Sequence, residues 1–356
     1  MNGGMMEGRK TGKDCQQKRK LLSVIIPCYN SQDYMERAIR SALPGNKDIE
    51  ILIVDDGSRD ATGEIADRYA EQYPHSCIAI HKENGGHGDA ILSGLSRATG
   101  IYVDVLDSDD WLDQDAFLKM LSRLSKLESE ELPPDAVIRN MVYDQIHTGH
   151  RHTLEYRKYL PQDRVLSWTE CQELPPGIVF FMHSIVFRTE LLKSMQLDLP
   201  KHTFYVDHLY AYFPMQKVQR LCYLDADVYH YCIGRPGQSV QEEVMLRQVD
   251  QAVKVCRIML EKVDLGKVEE QNRRYYMRNY LEMAIASTYA FLTRNGSAQS
   301  LDARDELIAY MEQTNPWFRE NIRHRLSGAV LALPGQLRKW AVRILYRYWY
   351  SIYRFN

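Results

Sequence analysis

Four times between Leu21 and Val142, a short apolar run leads into a polar turn and then into a stretch with helical spacing. The runs are LLSVII, IEILIVD, CIAIHK and IYVDVLD. The stretches that follow them are SQDYMERAIRSAL, DATGEIADRYAEQY, GDAILSGLSRA and QDAFLKMLSRLSKL. Few folds accept that order. Strands alternating with helices of about 10–15 residues form βαβ units, which join into a mostly parallel sheet. Runs that are apolar throughout require cover on both faces of that sheet. In the first helical stretch Tyr34, Ala38, Ile39 and Leu43 share a face, and Ser31 is placed to cap its N-terminus. DAVIRNMVYD reads as one further strand.

The rest of the chain is less regular. Residues 144–180 hold Pro161, Pro175, Pro176 and Gly177 and read as an extended excursion. MHSIVFRTELLKSM and VDHLYAYFPMQKV read as helices, the second interrupted at Pro214, and VQRLCYLDADVYHYCI as two short strands. From about Ser239 the pattern is helical. A length of 356 residues has room for more than one unit. The expected division is a basic tail at 1–20, an α/β domain at 21–240 and a helical region at 241–356.

Composition removes several classes. Charged residues are 26% of the chain and the net charge is −2, which fits neither a disordered chain nor a globally basic nucleic-acid binder. Seven cysteines without a C-x-x-C pair argue against a disulfide framework or structural zinc and suit a reducing compartment. No apolar run is long enough for a transmembrane helix or a signal-peptide core. The six Lys/Arg of residues 1–20 read as a solvated tail.

The polar turns all fall where an open α/β sheet binds its ligand, beyond the carboxyl ends of the strands. They are Pro27-Cys28-Tyr29-Asn30, Asp55-Asp56-Gly57-Ser58, Asn84-Gly85-Gly86-His87 and Asp107-Ser108-Asp109-Asp110. Three carboxylates within four residues repel one another unless a cation separates them. Such oxygen ligands suit Mg²⁺ or Mn²⁺, and Mg²⁺ sites often include substrate phosphates. Asp55 and Asp56 can accept hydrogen bonds from a base or a ribose. Glycines at 85, 86, 88 and 94 let a backbone come close. Neither a P-loop nor a G-x-G-x-x-G opening from the first strand is present.

These four turns, in this order and spacing, resemble the family 2 glycosyltransferases of GT-A fold, in particular those of bacterial cell-surface and exopolysaccharide synthesis. The resemblance implies an α/β, Rossmann-like domain with a mostly parallel central sheet flanked by helices. It implies metal-dependent, inverting transfer from a UDP-sugar to a hydroxyl of a glycan or lipid-linked glycan. It assigns Pro27, Tyr29, Asn30, Asp55, Asp56, Asn84, Gly86, Asp107, Ser108 and Arg235 to the nucleotide-sugar. It assigns Asp109, Asp107 and His230 to a divalent metal, Mn²⁺ or Mg²⁺. The catalytic base falls on Asp207, in an acidic position opening a helix, where Val206 stands in place of the usual first acid. His183 and His208 are candidates for acceptor contacts. Ala90-Ile91-Leu92 replaces an A-R-N element of many relatives, and His87 stands where relatives often have Lys.

Two alternatives remain. A nucleotidyltransferase on a related sheet needs a glycine-rich loop with a basic residue after strand one, which Cys28-Tyr29-Asn30-Ser31 lacks. A catalytically inactive binding member is the other. Residues 321–356 hold seven Lys/Arg and no acid. Lys339, Arg343, Arg347 and Arg354 fall on one side of a helix, with Trp340 and Trp349 at its flanks. That pattern predicts either an interfacial helix on a membrane or one packed on the protein. The expected location is cytoplasmic or peripheral on the inner face of the cell membrane, with no nucleic-acid partner.

Overall fold

The runs at Leu22–Cys28, Ile49–Asp55 and Tyr102–Val105 are strands buried on both sides, while Cys77–His81 lies at the sheet edge with Ile78 exposed. The computed structural model describes residues 19–235, 238 and 241–322. The elements in order are β1 (Leu22–Cys28), α1 (Met35–Ala42), β2 (Ile49–Asp55), α2 (Thr62–Gln72), β3 (Cys77–His81), α3 (His87–Arg97), β4 (Tyr102–Val105), β5 (Trp111–Leu112), α4 (Gln114–Glu128), β6 (Ala136–Gln145), β7 (Arg151–Leu154), β8 (Val165–Ser167), β9 (Ile185–Arg188), α5 (Thr189–Ser194), α6 (Val206–Tyr212) and β10 (Arg220–Ile233). Five helices follow: α7 (Glu242–Arg247), α8 (Val249–Lys262), α9 (Gln271–Asn295), α10 (Ala298–Thr314) and α11 (Pro316–Ile322).

The sheet runs β3-β2-β1-β4-β9-β6-β10-β5, with β7 on β6 and β8 on β10. β1 to β4 are parallel to one another, β6 and β10 continue in the same direction, and β9 is inserted antiparallel between β4 and β6. The sheet is thus mostly parallel. Each face has its own core. Ile25, Leu52 and Val54 point to one face, packed with α3, α6 and the helices after β10. Val24, Ile26, Ile51 and Ile53 point to the other, packed with α1, α2 and α4. Each fully buried side chain of this kind stabilises the fold by roughly 1.5–3 kcal/mol.

Several expectations are corrected. Ser31 does not cap α1; the helix starts after Tyr34 without a side-chain cap. The Ser31 hydroxyl instead meets the Ser108 hydroxyl at 2.9 Å. The segment 182–195 is not one helix. Ile185, Val186 and Phe187 are wholly buried between two strands and form β9, leaving only Thr189–Ser194 helical. Residues 220–233 are one long strand whose register shifts around Asp227, not two strands. The excursion at 144–180 contains β7 and β8, strands too short to declare themselves by periodicity. The helical reading from 241 holds through Ile322. The amphipathic segment with Lys339, Arg343, Arg347 and Arg354, and the tail through residue 18, lie outside the described residues.

Candidate active site

The strand ends converge on one cavity of about 700 Å³, walled by all four polar turns and by the 202–208 segment. At the end of β1, Tyr29 stands 49% exposed on the cavity wall beside Pro27. Asn30 is turned away from it. It takes φ +48° and braces the next turn, with its side-chain oxygen accepting from Arg59 N at 3.0 Å.

Asp56 builds the glycine loop. Its Oδ1 accepts from Lys82 Nζ at 2.6 Å and Gly85 N at 2.9 Å. Its Oδ2 accepts from Gly86 N at 2.7 Å and Asn84 Nδ2 at 3.1 Å. A carboxylate has about four acceptor positions, so Asp56 is filled by the loop it holds. The expectation that it reads a base meets a carboxylate already occupied. Asp55 does not line the cavity; it accepts from Ser58 N at 3.0 Å and faces His81 at 3.2 Å. Gly86 is required where it stands. Its φ is +86°, and a Cβ there would lie 2.9 Å from His202 N.

Asp107 is clamped by two imidazoles. Its Oδ1 is 2.8 Å from His87 Nε2, at the start of α3, and its Oδ2 is 3.1 Å from His183 Nε2, just before β9. Burial opposes the charge on Asp107, yet His87 and His183 together hold its carboxyl well below the usual range. Burial likewise opposes charge on His87, and Asp107 overcomes it, so the imidazole is held above its ordinary range. Asp110 lies deeper. Tyr229 Oη donates to it at 2.7 Å and Cys232 N at 2.8 Å. Burial, then the charges of Asp109 and Asp107, push its carboxyl up.

Asp107, Asp110 and His183 each offer a ligand atom, all within 4.8 Å of one another. Two carboxylates and an imidazole suit Mn²⁺ and, less closely, Mg²⁺. The repulsion that raises Asp110 is what a divalent cation relieves. The residues therefore fit a metal through Asp107, which was expected, together with Asp110 and His183, which the resemblance did not assign to it. Asp109 is taken by Arg235 Nη2 at 2.6 Å and Gln238 Nε2 at 3.1 Å. His230 lies on the opposite face of β10 from Tyr229 and Tyr231, stacked on Trp111 and 3.4 Å from Asp144. The structure does not bring it to the other two. Arg235 also lies over the Tyr34 ring, 4.3 Å from its centroid.

Asp207 faces these groups from the first turn of α6, on the cavity wall. Among the described residues, no hydrogen bond or ion pair holds its carboxylate. The loop that presents it is strained, since His202 and Tyr205 take φ +47° and +65°. Contacts from the helical region hold that strain. Lys254 Nζ donates to Thr203 Oγ1 at 2.9 Å, Phe204 N donates to Gln251 Oε1 at 2.7 Å, and His208 Nδ1 meets Tyr280 Oη at 3.1 Å.

Sequence reasoning assigned His183 to the acceptor and His87 to no role; both hold Asp107. It did not find the support beneath. Arg139 and Asp104 form a fully buried bidentate pair at 2.7 Å, and Arg139 Nε donates to His183 O at 3.2 Å. The available signal was an acid within the short apolar strand β4 and an arginine following three apolar residues in β6.

The family described as Glycosyl transferase family 2 matches residues 23–186. The uncharacterized glycosyltransferase EpsJ of Bacillus subtilis is 28% identical over 222 residues, which are 59% of this chain and 60% of that protein. Glycosyltransferase GlyA of Streptococcus pneumoniae serotype 4 is 36% identical over 110 residues, 31% of this chain and 16% of that one. The chain thus spans less than two thirds of these relatives' lengths. The crystal structure of S. aureus TarS matches with a TM-score of 0.52 at 15% identity, over 87% of this chain and 55% of that one. That likeness is one of fold.

Proposed function

We propose, from the premise that residues 23–186 of this chain belong to glycosyl transferase family 2, that the protein transfers a sugar from a UDP-sugar to a hydroxyl of a glycan or lipid-linked glycan with inversion. The observation that carries this is the pairing, in one cavity, of the Asp207 carboxylate, unpartnered among the described residues, with Asp107 and His183, which line the same cavity and close on the buried Asp110. The exposed Tyr29 ring and Pro27 give the base an apolar face at the other end of the wall. Asn84 spends its Nδ2 on Asp56 and keeps Oδ1 to accept from the N3–H of a uracil.

In the transfer, the acceptor oxygen bonds to the anomeric carbon as the bond from that carbon to the phosphate oxygen breaks. The proton of the acceptor hydroxyl passes to Asp207 Oδ, and the electron pair leaves with UDP. Attack from the side opposite the leaving group inverts the centre. Asp207 suits the base role because it is ionisable, reachable and, among the described residues, committed to no partner. Arg235 offers a planar fork to the diphosphate. Asp107, Asp110 and His183 would hold the Mn²⁺ or Mg²⁺, which supplies positive charge against the departing diphosphate.

Calorimetric titration of UDP with Mn²⁺, repeated with EDTA, tests the donor site. The expected result is Mn²⁺-dependent binding that Asp107→Asn weakens strongly. Absence of UDP binding under both conditions would overturn the reading.

A further inference from the structure

We infer that the half of the cavity farthest from the acid cluster is an acceptor subsite for an aliphatic chain, so that the attacked hydroxyl arrives on a lipid-like molecule. The inference rests on Asp207 being the base, and it adds a substrate class to that reading.

The cavity does not stop at Asp207. It continues between α7, α8 and α9, where Met245, Val255, Cys256, Met283, Ala284 and Phe291 line it. None of the described lining residues from these helices is charged. The polar atoms among them are engaged with one another or with backbone. Cys256 Sγ and Thr288 Oγ1 are 3.3 Å apart, and Ser287 Oγ donates to Met283 O at 2.7 Å. A sugar ring entering such a space would give up hydration with little in return, whereas a hydrocarbon loses nothing polar and gains burial. Two of the six lining side chains named are methionines, whose unbranched thioethers conform to a flexible chain.

The position matters as much as the composition. The apolar half opens onto the segment that carries Phe204, Asp207 and His208. Helix α8 supplies both the wall of this half, through Val255 and Cys256, and the clamps on that segment, through Gln251 and Lys254. A chain seated against α8 would therefore bring the hydroxyl at its head toward Asp207, at the end of the loop that α8 clamps at Thr203 and Phe204.

The test titrates methyl and octyl β-D-glucopyranoside, the second below its micelle concentration, into the full chain with UDP and Mn²⁺ present. Each methylene that enters should tighten binding about fourfold, so the octyl compound should bind at least about a hundredfold more tightly than the methyl one. Ala252, on α8, also lines this half; Ala252→Trp and Met283→Trp, which fill it, should each remove at least about tenfold of that preference while leaving UDP affinity and melting temperature near wild type. If the tryptophans unfold the chain, Ala252→Leu takes their place and should shift the best chain length from octyl toward butyl. Equal affinity for the two glycosides overturns the inference. So does a chain-length preference that the filled variants leave intact. UDP binding is read in the same experiment. A chain that binds UDP but shows no chain-length preference refutes this inference alone. A chain that prefers octyl but binds no UDP loses the acceptor role along with the glycosyltransferase reading.

Discussion

The loops after β1 to β3 and the loop at 202–208 face the same cavity but are held in opposite ways. The first group is closed locally. Asp56 draws Lys82, Asn84, Gly85 and Gly86 onto itself, and every partner comes from the next strand or turn. The second is held from afar. Thr203, Phe204 and His208 rely on Lys254, Gln251 and Tyr280, side chains 47 to 72 residues onward. One side of the site thus draws its support from the parallel sheet and the other from the helices after β10, and the two meet where His202 N donates to Gly85 O at 2.8 Å. The difference teaches that two loops facing one cavity can take their support from separate parts of the chain.

Substitutions can break this contrast or sharpen it. The largest effect is expected from Asp207→Asn, which should lower kcat by about 10²–10⁴-fold with UDP affinity unchanged by calorimetry. A loss of UDP binding of the same size would mean that the two sides are not separable. Next comes Arg139→Met, at the joint between them. It leaves Asp104 buried without its partner and frees the His183 carbonyl, and should cost about 3–5 kcal/mol in urea unfolding. A cost below 1 kcal/mol would remove the joint from the account. Gly86→Ala forces a Cβ against His202 at a positive φ and should cost about 1–3 kcal/mol. Because it moves the locally closed side, UDP affinity should fall with it.

Smaller effects probe the far side alone. Gln251→Leu with Lys254→Met removes the two α8 clamps on the strained loop, for about 1 kcal/mol each, and leaves the Tyr280 contact to His208. Steady-state kinetics should show kcat falling while UDP affinity stays; the reverse pattern would reassign the helices to the donor. The smallest is His81→Gln. His81 is held above its ordinary pKa by its hydrogen bond to Asp67, against burial, with Asp55 assisting. A raised histidine stabilises the fold fully below its unfolded value of about 6.5, and that contribution is lost as pH rises through the folded value. Wild type should therefore melt higher than His81→Gln at pH 6 and converge with it by about pH 8, by no more than ~1 kcal/mol for so exposed a pair. A gap that widens with pH would reverse the assignment.

The same contrast explains what could be read from sequence. β1 to β4 and their helices were legible because apolar runs and turns are local signals. Asp107, Asp109 and Asp110 stood out because acids at a strand end contrast with the apolar run before them, while Asp207 was singled out through the family resemblance. Partnerships were not. Asp109 meets Arg235 across 126 positions and Asp107 meets His183 across 76, and nothing in either segment announces the other. His230 illustrates the reverse error. Strand alternation puts Tyr229 and Tyr231 on one face and His230 on the other, a single-residue phase that an aromatic-rich stretch does not reveal. β9 was missed for a related reason: Ile185, Val186 and Phe187 run directly into a helix, so the joint pattern mimics a longer one.

With Arg235 in its proposed role at the diphosphate, its contact with Asp109 gives ligand entry the character of a trade. An anion arriving at this guanidinium meets one that already has a carboxylate at 2.6 Å and an aromatic ring beneath it. Binding there exchanges one negative partner for another, so its strength is a difference between two similar bonds. The arginine keeps its charge satisfied throughout, and the carboxylate released by the exchange falls back on Gln238, 3.1 Å away. Such a contact lends modest affinity but strong selectivity, since only a ligand that outcompetes a carboxylate can take the place.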